Sequence, residues 1–154
     1  MSDHGHGPAG DAWTDHAGRV LSEAGFRSGG ARSAVIAVLA RTPCATSAQG
    51  IFDALREEGR RVGIASVYRA LEQLAALRLV TRLDFGDGVS RFEAADPSGH
   101  HHHHLVCTAC GRVDPFEDAD LERAITGTAG RARFAVDEHD VVLRGRCATC
   151  VAAG

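Results

Sequence analysis

The sequence predicts a mixed α/β protein in two parts, a helical bundle closed by a two-stranded wing and then a small sheet with one helix. Three observations predict it. Apolar residues recur at helical spacing through residues 13–79. Two β-rich runs, 80–85 and 89–93, flank Gly86-Asp87-Gly88, which reads as a hairpin turn. Beyond residue 99 the strand material is short, and two Cys-x-x-Cys pairs stand at its ends. A second part this small has a poor core of its own, so it needs a metal, a partner or both.

Each element has its own signal. Residues 1–11 are rich in Gly, His and Asp and read as a mobile arm. The first helix runs from Trp13 to Ala24, with Trp13, Ala17, Val20 and Leu21 at helical spacing, and Gly25 ends it. Ser28-Gly-Gly30 is a turn. Ala31 to Arg41 is the second helix, with Val35, Val38 and Leu39 inward, and Pro43 closes it. Thr46 or Ser47 caps a third helix that reaches about Glu58 and buries Ile51, Phe52 and Leu55. Thr46 followed by Gln49 matches a capping box.

The clearest helix spans Gly63 to Leu79. Ile64, Val67, Leu71, Leu74 and Leu77 make its apolar stripe, while Ser66, Arg69 and Gln73 point the other way. With strands Val80 to Phe85 and Val89 to Glu93 after it, the pattern is a winged helix-turn-helix, in which helix 64–78 is the reader of the pair. A small helical bundle with a hairpin, or a winged helix serving protein contacts, fits the same pattern. Ala94 to Gly99 is a linker. His104 to Cys107 and Arg112 to Phe116 read as strands, Ala119 to Thr126 as a helix, and Ala132 to Arg146 as strand material with Phe134, Val136 and Val141 to Leu143. The expected domains are therefore 12–93 and 100–154, joined by 94–99.

Bulk properties narrow the class. The chain has 154 residues and a formal charge of −3. No apolar run approaches the roughly 18 residues that a membrane span needs. Met1 to Pro8 lacks the basic and apolar segments of a secretory signal, so a cytoplasmic protein is expected. Charge is uneven. Residues 1–82 carry ten Arg against eight acidic residues, and the remainder carries seven Arg against twelve. The first part suits phosphate and the second suits cations.

Four of the five cysteines form the pairs Cys107/Cys110 and Cys147/Cys150, separated by 36 residues. Gly111 after the first pair suits a tight knuckle turn. Four thiolates make the soft tetrahedral set of structural zinc. A reducing compartment argues against stable disulfides, and a redox dithiol is the alternative for one pair. The histidines His100 to His104 run directly into Leu105-Val106-Cys107. On a strand, alternate side chains share a face, so His102 and His104 look one way and His101 and His103 the other. One run can thus serve two sites, with Glu93, Glu122 and His139 as further donors. A solvated polyhistidine loop is the alternative.

Together these residues resemble the ferric uptake regulator family of metal-responsive transcription factors. The resemblance covers roughly residues 15–150 and rests on Ser47-Ala-Gln-Gly-Ile-Phe52, Ser66-Val-Tyr-Arg-Ala-Leu71, Arg91-Phe-Glu93, His101-His-His-His-Leu-Val-Cys-Thr-Ala-Cys-Gly111 and Cys147-Ala-Thr-Cys150. It implies a winged-helix domain, a dimerisation domain with structural zinc, and a homodimer that binds an inverted-repeat DNA operator when metal is loaded. Tyr68 and Arg69 match the family's DNA-approaching pair. Arg60, Arg61 and Arg82 are further candidates for phosphate or base contact. Glu93, His102 and His104 match its regulatory site. Asp84 and Cys44 are candidates for the remaining ligand. Where many iron-type members carry a histidine, this chain has Ala45, beside Cys44. A further family site matches His101, His103, Glu122 and His139.

The expected function is a metal-gated repressor of metal uptake or homeostasis genes, with iron or zinc as the regulatory ion and manganese or nickel as other candidates. No nucleophile arrangement suggests an enzyme. A metal-buffering protein without specific DNA recognition is the alternative. It predicts tight metal binding and no duplex preference.

Overall fold

The computed structural model describes residues 8–99 and 101–154, and the chain divides into two compact units, Met1–His100 and His101–Gly154. The mobile-arm reading of residues 1–7, and the place of His100 in the histidine run, lie outside the described residues.

The first unit contains α1 (Pro8–Glu23), α2 (Gly30–Arg41), β1 (Thr46–Ser47), α3 (Ala48–Glu57), α4 (Ile64–Ala76), β2 (Val80–Asp84) and β3 (Ser90–Ala94). Its core gathers Trp13, Ala17, Val35, Leu39, Ile51, Leu55, Val67, Leu71, Leu74 and Leu79 from all four helices. Trp13 Nε1 donates to the Leu79 carbonyl oxygen at 3.0 Å, which ties α1 to the turn after α4. The described part of the expected arm, residues 8–11, belongs to α1 instead. Proline lacks an N–H that a first helical turn would leave unpaired anyway, and Asp11 suits the positive end of the helix dipole.

One of the two expected caps opens α3, without the expected capping box, and the end of α4 differs from expectation. Ser47, not Thr46, caps α3, with its hydroxyl accepting from the Gly50 amide at 3.0 Å. Thr46 is instead paired to Phe92 in β1, and Gln49 donates to Asp53 at 2.9 Å, so no capping box forms. Helix α4 stops at Ala76, three residues before Leu79. Arg78 turns left-handed at φ 57°, and the Leu79 amide bonds back to the Leu74 carbonyl at 2.9 Å. That turn puts Leu79 into the core at 1% exposure.

The first sheet has the order β1-β3-β2, all antiparallel, with Thr81 opposite Glu93. Arg91, buried in β3, grips Asp87 of the wing turn at 2.7 and 3.1 Å. Its guanidinium and the Val89 amide hold the Asp87 carboxyl down at about 2. Because Leu71 is fully buried in this unit, Leu71→Ala is expected to cost about 2–5 kcal/mol. Urea unfolding followed by emission of the sole tryptophan, Trp13, checks this. An unshifted midpoint would remove Leu71 from the core.

The second unit contains β4 (His103–Cys107), β5 (Val113–Phe116), α5 (Ala119–Ala132), β6 (Val142–Gly145) and α6 (Ala148–Ala152). Its sheet runs β5-β4-β6, with β4 central, antiparallel to β5 and parallel to β6. Asp118 caps α5 through the Leu121 amide at 2.8 Å. The helix continues past the expected end at Thr126 to Ala132, through Gly127 and Gly130. Phe134 and Val136, expected in strands, lie in no regular element and are 70% and 41% exposed. Helix α5 has no fully buried residue, and Val106 and Cys107 are the buried apolar residues among those described here. Among the described residues, no helix is long and apolar enough to cross a membrane.

Candidate functional site

Two complete donor constellations and two partial ones arise from the local geometry. In the first, β4 ends at Cys107 and a turn with Gly111 at φ 77° brings Cys110 back. The parallel partner β6 runs past Gly145, paired with Cys107, into Cys147, and the short α6 returns Cys150. The four Sγ atoms lie within 4.8 Å of one another, with Cys110 and Cys147 at 3.9 Å. A disulfide needs about 2.05 Å, so this pair is not bonded. A tetrahedron with zinc–sulfur bonds of about 2.3 Å has edges of about 3.8 Å, which the observed spacing matches.

Electrostatics agree with a cation-binding set. Backbone amides of Cys147, Cys110 and Ala109 point at Cys107 and lower its thiol to about 6. The Cys147 amide is 3.3 Å from its sulfur. Cys150 faces Cys147, Cys110 and Cys107, and that crowding pushes it up to about 12. Four thiolates this close hold their charge together only around a positive ion.

The second constellation is wholly within the second unit. His101, His103, Glu122 and His139 offer ligand atoms within 4.8 Å of one another. His103 Nε2 lies 2.5 Å from Glu122 Oε1, and His139 Nε2 lies 3.0 Å from Glu122 Oε2. His101 and His139 approach to 3.3 Å between Nε2 atoms. Tetrahedral ligands about 2.0–2.1 Å from an ion stand about 3.3–3.4 Å apart, close to most of these separations. The shorter His103–Glu122 contact has its own cause. The Val141 amide donates to His103 Nδ1 at 3.2 Å, which leaves Nε2 as the protonated nitrogen facing the carboxylate. His103 and then His139 hold the Glu122 carboxyl below its ordinary range.

The remaining candidates fall in two sets, one in each unit. In the first unit, β1 pairs with β3, and this brings the sulfur of buried Cys44 within 4.8 Å of a Glu93 carboxylate oxygen. In the second unit, His104 of β4 and His102, just before that strand, have ring centroids 5.0 Å apart. Their ligand nitrogens also lie within 4.8 Å. Asp84 stands apart from Glu93. It ends β2 three residues beyond Thr81, the partner of Glu93, or roughly 10 Å along the strand. Its Oδ1 accepts from the Gly86 amide at 2.8 Å, so the carboxylate shapes the wing turn.

The candidate DNA residues are all on the surface. Tyr68 is 51% exposed, and Arg69 is exposed with Nη2 donating to Ser66 Oγ at 3.0 Å. Arg69 lies opposite buried Val67, Leu71 and Leu74, and Tyr68 lies at the edge of that stripe. Arg60 and Arg61 are exposed in the turn before α4, and Arg82 is exposed on β2, donating to Ser90. Sequence reasoning missed Arg32, whose guanidinium reaches Gln73 across α2 and α4. No motif marks that pair.

A profile of the ferric uptake regulator family matches residues 23–144. The ferric uptake regulation protein of Legionella pneumophila is 43% identical over 104 residues, covering 68% of this chain and 75% of that protein. The crystal structure of the Vibrio cholerae ferric uptake regulator superposes with a TM-score of 0.74 at 34% identity, over 84% of this chain and 98% of that one. The ferric uptake regulator of Pseudomonas aeruginosa, solved with manganese, gives 0.65 at 32% identity, over 86% and 98%.

Proposed function

This chain belongs to the ferric uptake regulator family, and we propose that it is a dimeric repressor that binds an inverted-repeat DNA operator when a divalent metal is loaded. Family proteins are metal-responsive transcription regulators and not enzymes. The observation that carries the metal gate is the division of donors along one short run of chain. His104 of β4 groups with His102 just before the strand, and His103 of β4 groups with His101.

In this proposal zinc occupies the four-cysteine set and fixes the second unit. The regulatory ion takes Glu93, His102 and His104, with the Cys44 thiolate as fourth ligand. Imidazole and carboxylate suit iron, manganese, nickel or zinc, and a thiolate moves the preference toward zinc. Residues 94–99 are the hinge. An ion held by ligands from both units favours the arrangement in which the two reading helices match two half-sites. His101, His103, Glu122 and His139 form an additional, supporting site. Tyr68 and Arg69 approach bases, while Arg60, Arg61 and Arg82 meet phosphates. Exposed Leu105, Leu143 and Phe134, beside an α5 with nothing fully buried, support a second copy of the chain as the partner.

The test is fluorescence anisotropy on a duplex operator selected from a random library. Iron(II), manganese(II), nickel(II) and zinc(II) are titrated separately while the cysteine site stays filled. The regulatory metal should tighten binding about 5–150-fold over chelated protein. Tight metal binding without any duplex preference would identify a metal buffer instead.

A further inference from the structure

One basic cleft adjoins candidate Arg69 and contains a second arginine that the reading above leaves without a role. It lies between the start of α2 and the exposed face of α4, encloses about 260 Å³, and is lined by Gly29, Ala31, Arg32, Ser66, Arg69 and Gln73 among others. No acidic residue lines it. Arg32 is held rigidly there. Its Nε and Nη2 both donate to Gln73 Oε1, at 2.9 and 2.7 Å, and Nη1 donates to the Arg27 carbonyl at 3.3 Å. The guanidinium also lies 4.3 Å over the Phe26 ring. A guanidinium has five N–H donors. Three are spent within the chain, so a fixed fork retains two. Gly29, the N-cap of α2, supplies no side-chain cap, and the first amides of that helix keep their partial positive charge.

We propose that this cleft seats one phosphodiester of the DNA backbone, with Arg32 and the α2 amides holding it beside the reading face of α4. The proposal rests on the DNA-binding reading above. It assigns Arg32 a positioning contact that sets the register of α4 on the duplex and reads no base. Gln73 shapes the seat by aiming Arg32, and the charge resides on Arg32.

The experiment measures binding of the full-length, metal-loaded protein to a labelled 30-base-pair duplex of arbitrary sequence over a sodium chloride series. Each phosphate neutralised contributes about 0.9 to the slope of log affinity against log salt. Arg32→Gln should flatten that slope by about one for each seat engaged, hence about two for a dimer on both half-sites. Arg32→Lys should restore most of the slope, because it keeps the charge. An unchanged slope in Arg32→Gln would overturn the seat while leaving DNA binding intact. A starting protein that binds no duplex at all would overturn the DNA-binding reading and the seat together. Inorganic phosphate, replacing chloride at matched ionic strength, supplies the last arm. If phosphate displaces the duplex from the starting protein but not from Arg32→Gln, the same seat is confirmed.

Discussion

Replacing Cys107 and Cys110 together with Ser should release the metal of the four-cysteine set and dissolve the second unit while the first stays folded. The contrast follows from where apolar burial lies. The first unit buries a core drawn from four helices and the sheet. The second unit buries only Val106 and Cys107 of its described apolar residues, and α5 buries none fully. Its central strand β4 ends on one cysteine pair, and its partner β6 leads straight into the other. An ion on all four sulfurs therefore joins the ends of the sheet, where hydrophobic contact is weakest. In small domains of this kind, metal binding is itself part of the folding free energy. Serine cannot replace a thiolate at neutral pH. Elemental analysis after mild chelation should show the cysteine-bound zinc lost. Sedimentation should shift from dimer to monomer, and Trp13 emission should stay native. Zinc retained at its original stoichiometry, or an unaltered dimer, would refute the assignment.

The sequence made this site legible because spacing carries the chemistry. Cys-x-x-Cys places two sulfurs on one turn whatever surrounds it, and Gly111 marks the turn with its positive φ. Helix α4 was legible for a related reason, since Val67, Leu71 and Leu74 keep the helical period and are buried. Its end was not. Arg78 adopts a left-handed turn that favours glycine, so no residue type announced it. Helix α5 outlasts its expected end at Thr126, running on through Gly127 and Gly130. Asp118 caps the helix and residues 119–132 complete it. Phe134 and Val136 misled in the other direction. Their apolar alternation suggests a strand, yet among the described residues no strand pairs with them. The proximity of Cys44 to Glu93 depends on β1, a strand of two residues, which is too short to leave a pattern. Asp84 was a reasonable candidate by type and region, but register sends it down the strand and into the wing turn.

His102→Ala with His104→Ala should abolish the metal response of operator binding and leave the cysteine site filled. The grouping of the histidines makes the two outcomes separable. The His102 and His104 rings sit together, whereas His101 and His103 contribute to the set around Glu122 and His139. The cysteine pair begins only at the strand's end. In the proposed switch the ion must bind the DNA-competent arrangement more tightly than the open one, since an ion with equal affinity for both shifts nothing. Deleting two of the four donors leaves Glu93 and Cys44, both in the first unit, and removes every ligand from the second. The ion could still bind there, but it would have no differential affinity to spend. Metal-loaded variant should therefore bind the operator as weakly as chelated native protein, a loss of about 5–150-fold. Sedimentation should still give a dimer. His101→Ala with His103→Ala is the comparator, and it should keep most of the response because that set is supporting. If both double variants lose the response equally, β4 is simply being damaged. If the His102/His104 variant keeps full response, the gate lies elsewhere. Only a loss confined to His102 and His104 places it on that pair.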